Sequence, residues 1–254
     1  MDKLVFLGTA SAVAFEGHEN SYLVLKGKQS SILVDCAANP ILKLQKAGIH
    51  FNDVNDLVIT HFHADHVSGL PNLLMEMWIL GRTNEFRIYG SQHTISRVDK
   101  MMALFDWDEW QNLYPISLHM LPEEELAPVL ETPDFKIQSS PGDHLIPTLG
   151  LRIETMKDNF VAVYSSDTNP DPRMVRLACN ADILIHEATG SVEWHTSPGQ
   201  AGEIAAQAEV GALYLIHYSL YGEKNAESIV AEAKKTFPGD VILAEDFMEI
   251  EMNK

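Results

Sequence analysis

The chain has 254 residues, of which 46% are hydrophobic, enough to form a packed core. Thirty-six acidic residues against eighteen basic ones give a formal net charge of −18, which disfavours the binding of polyanions such as nucleic acids. No stretch approaches the roughly 20 apolar residues that span a bilayer, and the residues after Met1 offer no signal-peptide core. We therefore predict one domain over residues 1–254 that is soluble and cytoplasmic and has no membrane partner.

The cysteine content agrees with that compartment. Cys36 and Cys179 are the only cysteines, and neither belongs to a C-x-x-C pair. This usage fits a reducing environment better than a disulfide framework, and we expect both residues to be buried thiols.

Short apolar runs between polar residues predict strands along the whole chain. In order they are 4–7, 22–25, 31–35, 57–60, 86–89, 135–139, 151–154, 160–164, 182–186, 213–216 and 241–244. A helix is predicted at 197–208, because Ser197 can cap it, Pro198 suits its first position and Gln200 completes a capping box. A second is predicted at 225–237 from apolar residues at helical spacing. The early half is rich in strands and the late half alternates, which predicts two sheets covered by outer helices.

The segment 57–69 reads L-V-I-T-H-F-H-A-D-H-V-S-G and places a cluster of polar side chains directly after a predicted buried strand. Imidazole and carboxylate together suit zinc and neighbouring divalent metals. His61 and His63 can converge on one ion, whereas Asp65 and His66 can hold a second. A solvated polar loop is the alternative, but loops seldom place so many metal-binding side chains so close together. The segment predicts half of a binuclear metal site.

Three later loops place a histidine or an aspartate just after an apolar run, where they can reach the same edge of the sheets. His144 can complete the shell of the first ion, His217 can complete that of the second, and Asp167 can bridge the two. Each alone is as well explained as a turn or strand-end residue, but together they support one another. Asp35, at the end of its strand, can hold a ligand histidine from behind or act as a cap or turn residue.

The order of these motifs along the chain resembles the metallo-β-lactamase superfamily nearly end to end. F-L-G-T-A at 6–10, I-L-V-D-C at 32–36, H-E-A-T at 186–189 and H-T-S at 195–197 are most similar to the ribonuclease Z branch, whose members are phosphodiesterases that cut precursor transfer RNA. The resemblance implies an α/β (α+β) fold, a four-layered αββα sandwich of two mixed β-sheets covered by outer helices. It implies that His195, held by Glu187, acts near the leaving group. It carries metal-ligand roles to seven side chains, which are His61, His63, Asp65, His66, His144, Asp167 and His217.

Two departures from that branch concern the substrate. The branch continues after Cys36 with a glycine-rich stretch that contains threonine, whereas this chain has A-A-N-P at 37–40. The basic arm with which the branch grips transfer RNA has no visible counterpart. Residues 101–131 have comparable length but are aromatic and acidic, and we expect either a lid over a small substrate or a packed helix there. Structured transfer RNA is therefore not the expected substrate.

We predict a binuclear metal-dependent hydrolase, specifically a phosphodiesterase that acts on a small or short phosphodiester through a metal-bridging hydroxide. Zinc is the expected metal, with manganese and iron as alternatives. Asp65 would orient the attacking water or take its proton, and His195, with Glu187 fixing its tautomer, would protonate the departing alkoxide. Two other functions stay open, a hydrolase of lactams, lactones, thioesters or sulfate esters and a non-hydrolytic metal-binding protein. The sequence leaves the oligomeric state undetermined, so a homodimer also stays open.

Overall fold

The computed structural model describes residues 1–190, 192–221 and 225–254. The described strands are β1 (Lys3–Gly8), β2 (Tyr22–Lys26), β3 (Ser31–Val34), β4 (Val54–Val58), β5 (Phe86–Ser91), β6 (Ile116–Leu121), β7 (Ala127–Glu131), β8 (Phe135–Pro141), β9 (Leu149–Thr155), β10 (Val161–Tyr164), β11 (Ile183–Glu187), β12 (Ala212–Ile216), β13 (Asp240–Leu243) and β14 (Glu249–Glu251). The described α-helices are α1 (Pro40–Lys46), α2 (Ala64–Val67), α3 (Leu70–Ile79), α4 (Gln92–Ala103), α5 (Pro172–Ala178), α6 (Pro198–Gln207) and α7 (Ala226–Ala233).

The strands form two seven-stranded sheets, ordered β14-β1-β2-β3-β4-β5-β6 and β13-β12-β11-β10-β9-β8-β7. Both sheets are mixed. Strands β3 to β6 run parallel in the first, strands β10 to β13 run parallel in the second, and the remaining pairs are antiparallel. Because parallel strands end at a common edge, the loops after β4, β10 and β12 leave their sheets on the side where a shared site can form.

Three apolar layers hold the fold together. One lies between the two sheets and contains Phe6, Phe135 and Tyr164. A second lies between the first sheet and helices α1, α3 and α4, and a third lies between the second sheet and helices α5, α6 and α7. The layers confirm the predicted αββα sandwich, since each sheet buries one face against the other sheet and the opposite face against helices. Among the described helices, none combines the length and apolarity that crossing a bilayer requires.

All eleven predicted strands are present, but β6, β7 and β14 were missed. Each of the three lies at the end of a sheet in the strand order. Much of their surface is exposed, so they lack a clear hydrophobic period, and β7 carries Pro128, which edge strands tolerate. Residues 101–131 do not form the packed helix offered as one alternative, because α4 ends at Ala103 and the segment continues through turns into the edge strands β6 and β7. The other alternative, a lid over a small substrate, stays a prediction. Cys36 is buried as expected, but Cys179 is exposed.

Candidate metal centre

The histidine loop is fixed by contacts with the chain segment that follows β3. After β4 leaves the core, His63 precedes the single turn of α2. The backbone N–H of Cys36 donates to the carbonyl of His66 at 2.8 Å, and that of Gly69 donates to the carbonyl of Cys36 at 2.9 Å. A Cβ atom on Gly69 would lie 1.8 Å from the carbonyl oxygen of Ala37, so only glycine allows this approach. These contacts hold the histidine loop after β4 against the loop after β3.

The first group of donor atoms comes from His61, His63, His144 and Asp167. Nε2 of His61 lies 3.1 Å from Nδ1 of His63, and Nε2 of His144 lies 3.2 Å from that same Nδ1 atom. Nitrogen ligands of a tetrahedral zinc ion are about 3.3 Å apart, given bonds of about 2.0–2.1 Å. The spacing of these three nitrogens therefore fits a common divalent ion.

The second group contains Asp65, His66, Asp167 and His217. Nε2 of His217 lies 3.4 Å from a carboxylate oxygen of Asp65 and 3.4 Å from one of Asp167. Nε2 of His66 lies 3.5 Å from an oxygen of each of the same two carboxylates. Asp167 belongs to both groups, which is the position of a bridging carboxylate.

Asp35 decides which nitrogen of His66 faces the cluster. This buried carboxylate accepts hydrogen bonds from the Thr60 backbone at 2.8 Å, from the Thr60 hydroxyl, and from Nδ1 of His66 at 2.9 Å. The hydrogen bond to Asp35 occupies Nδ1, so Nε2 of His66 is the nitrogen that faces Asp65 and Asp167. Of the two roles left open for Asp35, the contacts select the support of a candidate ligand histidine.

His144 and His217 are oriented in the same way by different acceptors. Nδ1 of His144 donates to the carbonyl of Trp194 at 2.8 Å. The Thr189 hydroxyl donates to the His217 carbonyl at 2.8 Å and accepts from Nδ1 of His217 at 2.9 Å. Both histidines therefore direct Nε2, the nitrogen without a proton, into the cluster.

The electrostatics of the cluster favour a bound cation. Burial lowers the pKa of His61, His63 and His144, so these imidazoles are neutral and able to act as ligands. Against the effect of burial, neighbouring histidines hold the pKa of Asp167 well below its usual value. Within the described residues, Nε2 of His66 and Oδ1 of Asp167 are buried without a hydrogen-bond partner. Converging lone pairs and an ionised buried carboxylate fit divalent metal ions.

His195 and Glu187 lie beside these groups. Nδ1 of His195 donates to the buried Glu187 carboxylate at 2.9 Å, which leaves Nε2 available to a substrate. Backbone N–H groups of Thr168 and Thr189 fix the same carboxylate at 3.0 and 3.2 Å. Against burial, the hydrogen bond and charge of Glu187 raise the pKa of His195, which favours the protonated form that a general acid needs. The His195 ring lies 5.2 Å from that of His144.

The structure thus places all nine side chains chosen from the sequence in one cluster, at the edge where β4, β8, β10 and β12 end. Their assignment as ligands and catalysts stays a prediction. Sequence analysis missed the orienting acceptors Thr189 and Trp194. Thr189 stands in the H-E-A-T motif and could have been suspected, whereas the Trp194 contact uses a backbone carbonyl, which no residue pattern reveals.

Comparison with known proteins identifies the family. The family model described as anti-Pycsar protein Apyc1 matches residues 2–237. The chain belongs to this family. Ribonuclease Z from Picrophilus torridus is 28% identical over 300 aligned positions, which cover 99% of this chain and 96% of the relative. The relationship confirms the predicted similarity to the ribonuclease Z branch.

Solved structures show the same fold. The metallo-β-lactamase fold protein YhfI from Bacillus subtilis matches with a TM-score of 0.83 and 22% identity over 98% of both chains. Human tRNase Z, short form, matches with a TM-score of 0.79 and 23% identity over the full length of both chains. The predicted metallo-β-lactamase fold is confirmed, and together with the histidine and aspartate clusters the relatives indicate a metal-dependent hydrolase.

Proposed function

We propose that this chain is a binuclear metal-dependent phosphodiesterase whose substrate is a small or short phosphodiester. The observation that carries the proposal is the pair of donor groups sharing Asp167, with the His195–Glu187 pair beside them. Two ions at these groups would supply an activated water and stabilise charge on the phosphoryl oxygens. We propose zinc for both ions, because the donors are imidazole nitrogens and carboxylate oxygens at tetrahedral spacing.

Residues of the chain itself would orient the attacking water and protonate the leaving group. The carboxylate of Asp65 is 12% exposed and lies within 3.5 Å of Nε2 of both His66 and His217, so it can contact a water in the second group and orient it. His195 presents Nε2 as a proton donor to the departing oxygen, and Glu187 holds the imidazole in that tautomer. A phosphodiester needs both functions, because an alkoxide is a poor leaving group until it is protonated.

The charge around the site favours a small substrate. The exposed turn at 122–126 joins β6 to β7 at the edge where the metal loops lie, and it carries Glu123 and Glu124. Two arginines on the nearby helix α5 are paired with carboxylates, since Arg176 binds Glu125 at 2.7 Å and Arg173 binds Asp171 at 2.6 Å. Several phosphates of a long polyanion would be repelled by the acidic turn at 122–126. A substrate with one phosphodiester group carries a single negative charge and would be repelled much less.

The relatives support the proposal in two ways. Their name, ribonuclease Z, supports phosphodiester chemistry at this site. The alignment spans 300 positions, more than the 254 residues of this chain, so the relative carries segments that this chain lacks. This difference supports a narrower substrate than a folded RNA. The family name supports the further proposal that this hydrolysis counteracts Pycsar.

The proposal is tested by turnover of bis(p-nitrophenyl) phosphate, a p-nitrophenyl phosphomonoester and a chromogenic lactam under identical conditions. We expect the diester to be preferred, and we expect chelation to abolish turnover and added metal to restore it. A second panel of linear dinucleotides and cyclic mononucleotides would then define the natural substrate class. Preference for the lactam, or turnover that survives complete metal removal, would contradict the proposal.

We expect the fully loaded protein to hold two metal ions per chain. The seven proposed ligands overfill one tetrahedral shell but suit two shells that share a carboxylate. Elemental analysis of protein refilled with zinc, manganese or iron measures both the stoichiometry and the preferred metal. A stoichiometry that never exceeds one in protein with intact ligands would count against a binuclear site.

We expect weak or absent processing of precursor transfer RNA at physiological salt. Replacing Glu123 and Glu124 by glutamine should raise kcat/KM for an oligonucleotide several-fold at low salt and leave a mononucleotide-sized diester nearly unchanged. The matched control neutralises Asp108 and Glu109, an exposed pair that precedes β6 at the opposite edge of the sheet. Efficient cleavage of precursor transfer RNA by the unmodified protein would show that structured RNA is a substrate after all.

A further inference from the structure

Two consecutive residues after β11 serve two different parts of the site. The carbonyl of Trp194 accepts the Nδ1 proton of His144, a proposed ligand in the first donor group, at 2.8 Å. The imidazole of His195 donates to Glu187 at 2.9 Å. One backbone segment therefore supports both a metal ligand and the proton donor.

This arrangement depends on an uncommon backbone conformation. Trp194 has φ of 71°, in the left-handed region that bulky residues rarely adopt. The segment is held on its far side by the Thr196 hydroxyl, which donates to the Thr168 carbonyl at 2.6 Å, and by the Gly190 N–H, which donates to the Thr196 carbonyl at 3.1 Å. Non-glycine residues in such conformations persist where the surrounding structure enforces them, and they cluster at functional sites.

We propose that Trp194 is a positioning residue whose left-handed backbone couples the first metal group to the proton donor. This inference rests on the proposed function, because it assigns His144 to a metal ion and His195 to the leaving group. The Trp194 carbonyl keeps Nδ1 of His144 protonated and directs Nε2 toward His61 and His63. The same turn of the chain lets His195 reach Glu187. A change that forces residue 194 out of this conformation disturbs both partners together.

The experiment compares substitutions that differ in tolerance of a left-handed backbone. Trp194→Gly and Trp194→Asn remove the indole but accept the conformation, whereas Trp194→Val and Trp194→Ile strongly disfavour it. Metal affinity is measured without substrate, by zinc competition against a chromogenic chelator. We expect the two β-branched variants to lose about 10–100-fold in affinity for one ion, the usual effect of removing an acceptor behind a ligand histidine. The glycine and asparagine variants should stay within a few-fold of the unmodified protein.

Glu209 provides the matched control, because it is exposed, has φ of 54° and follows α6 away from the metal loops. Glu209→Val introduces comparable backbone strain and should leave metal affinity unchanged. Unchanged affinity in Trp194→Val would overturn the inference, and so would an equal loss in Trp194→Gly or Trp194→Asn, which would assign the effect to the indole. Where the β-branched variants do not fold, a loss of metal affinity in the glycine or asparagine variant still overturns the inference. Diester turnover by the unmodified protein is scored separately, so failure of the proposed function is distinguishable.

Discussion

Replacing Asp167 with alanine is expected to remove at least one metal ion and lower phosphodiester turnover by roughly 10³-fold or more. The physical reason is its shared position, since its carboxylate lies within reach of His217 at 3.4 Å and of His66 at 3.5 Å, and within 3.9 Å of His61 in the first group. A catalytic metal supplies several kcal/mol of transition-state stabilisation, and each 1.36 kcal/mol is tenfold in rate. Elemental analysis and turnover of the same preparation measure both effects.

The same loop provides the control for this substitution. Asp171 caps α5 by accepting from the backbone N–H of Arg173 at 2.8 Å, and asparagine is an equally good cap. Asp171→Asn should therefore retain both ions and most activity. An Asp167→Ala protein with unchanged metal content would exclude Asp167 from the metal centre and leave the bridging role without a candidate.

Replacing His195 with alanine is expected to leave both metal ions bound but to lower turnover of a diester with an alkoxide leaving group by about 10²–10⁴-fold, the usual contribution of general acid catalysis. A nitrophenolate departs without a proton, so the deficit should shrink as the pKa of the leaving group falls. The measurement is a series of diesters with graded leaving groups, assayed with metal content determined in parallel. Glu187→Gln should follow the same trend more weakly, because that carboxylate orients the imidazole and raises its pKa.

Two outcomes would change the role of His195. An equal loss across all leaving groups would indicate substrate binding or stabilisation of phosphoryl charge instead of proton donation. Loss of a metal ion would make His195 a ligand, an arrangement the geometry allows because His195, Glu187 and His217 form a third donor group. A fully active Glu187→Gln protein would detach Glu187 from the mechanism while leaving the assignment of His195 intact.

The sequence alone determined the architecture and the donor set. Strand β10 is a continuous apolar run, and so is the stretch 57–59 at the end of β4, because both faces of the chain are covered there, and such runs stand out without any tertiary information. The donors could be chosen because they follow those runs directly, as His61 follows β4 and His217 follows β12. Parallel strands then bring loops that are distant in the chain to one edge. Because the candidate ligands directly follow the apolar strands in the sequence, the fold and the candidate ligands could be predicted together.

Tertiary structure alone decided how those donors are held. The choice for Asp35 between a turn residue and a support for His66 depended on the approach of two loops 31 residues apart. The contact between Trp194 and His144 joins residues that are 50 positions apart in the chain. Its acceptor is a backbone carbonyl, which every residue possesses, so a pattern of side chains cannot predict it. The exposed edge strands β6 and β7 were missed for a related reason. Their positions are set by hydrogen bonding to a neighbouring strand, and backbone hydrogen bonds between distant segments leave no signature in sequence.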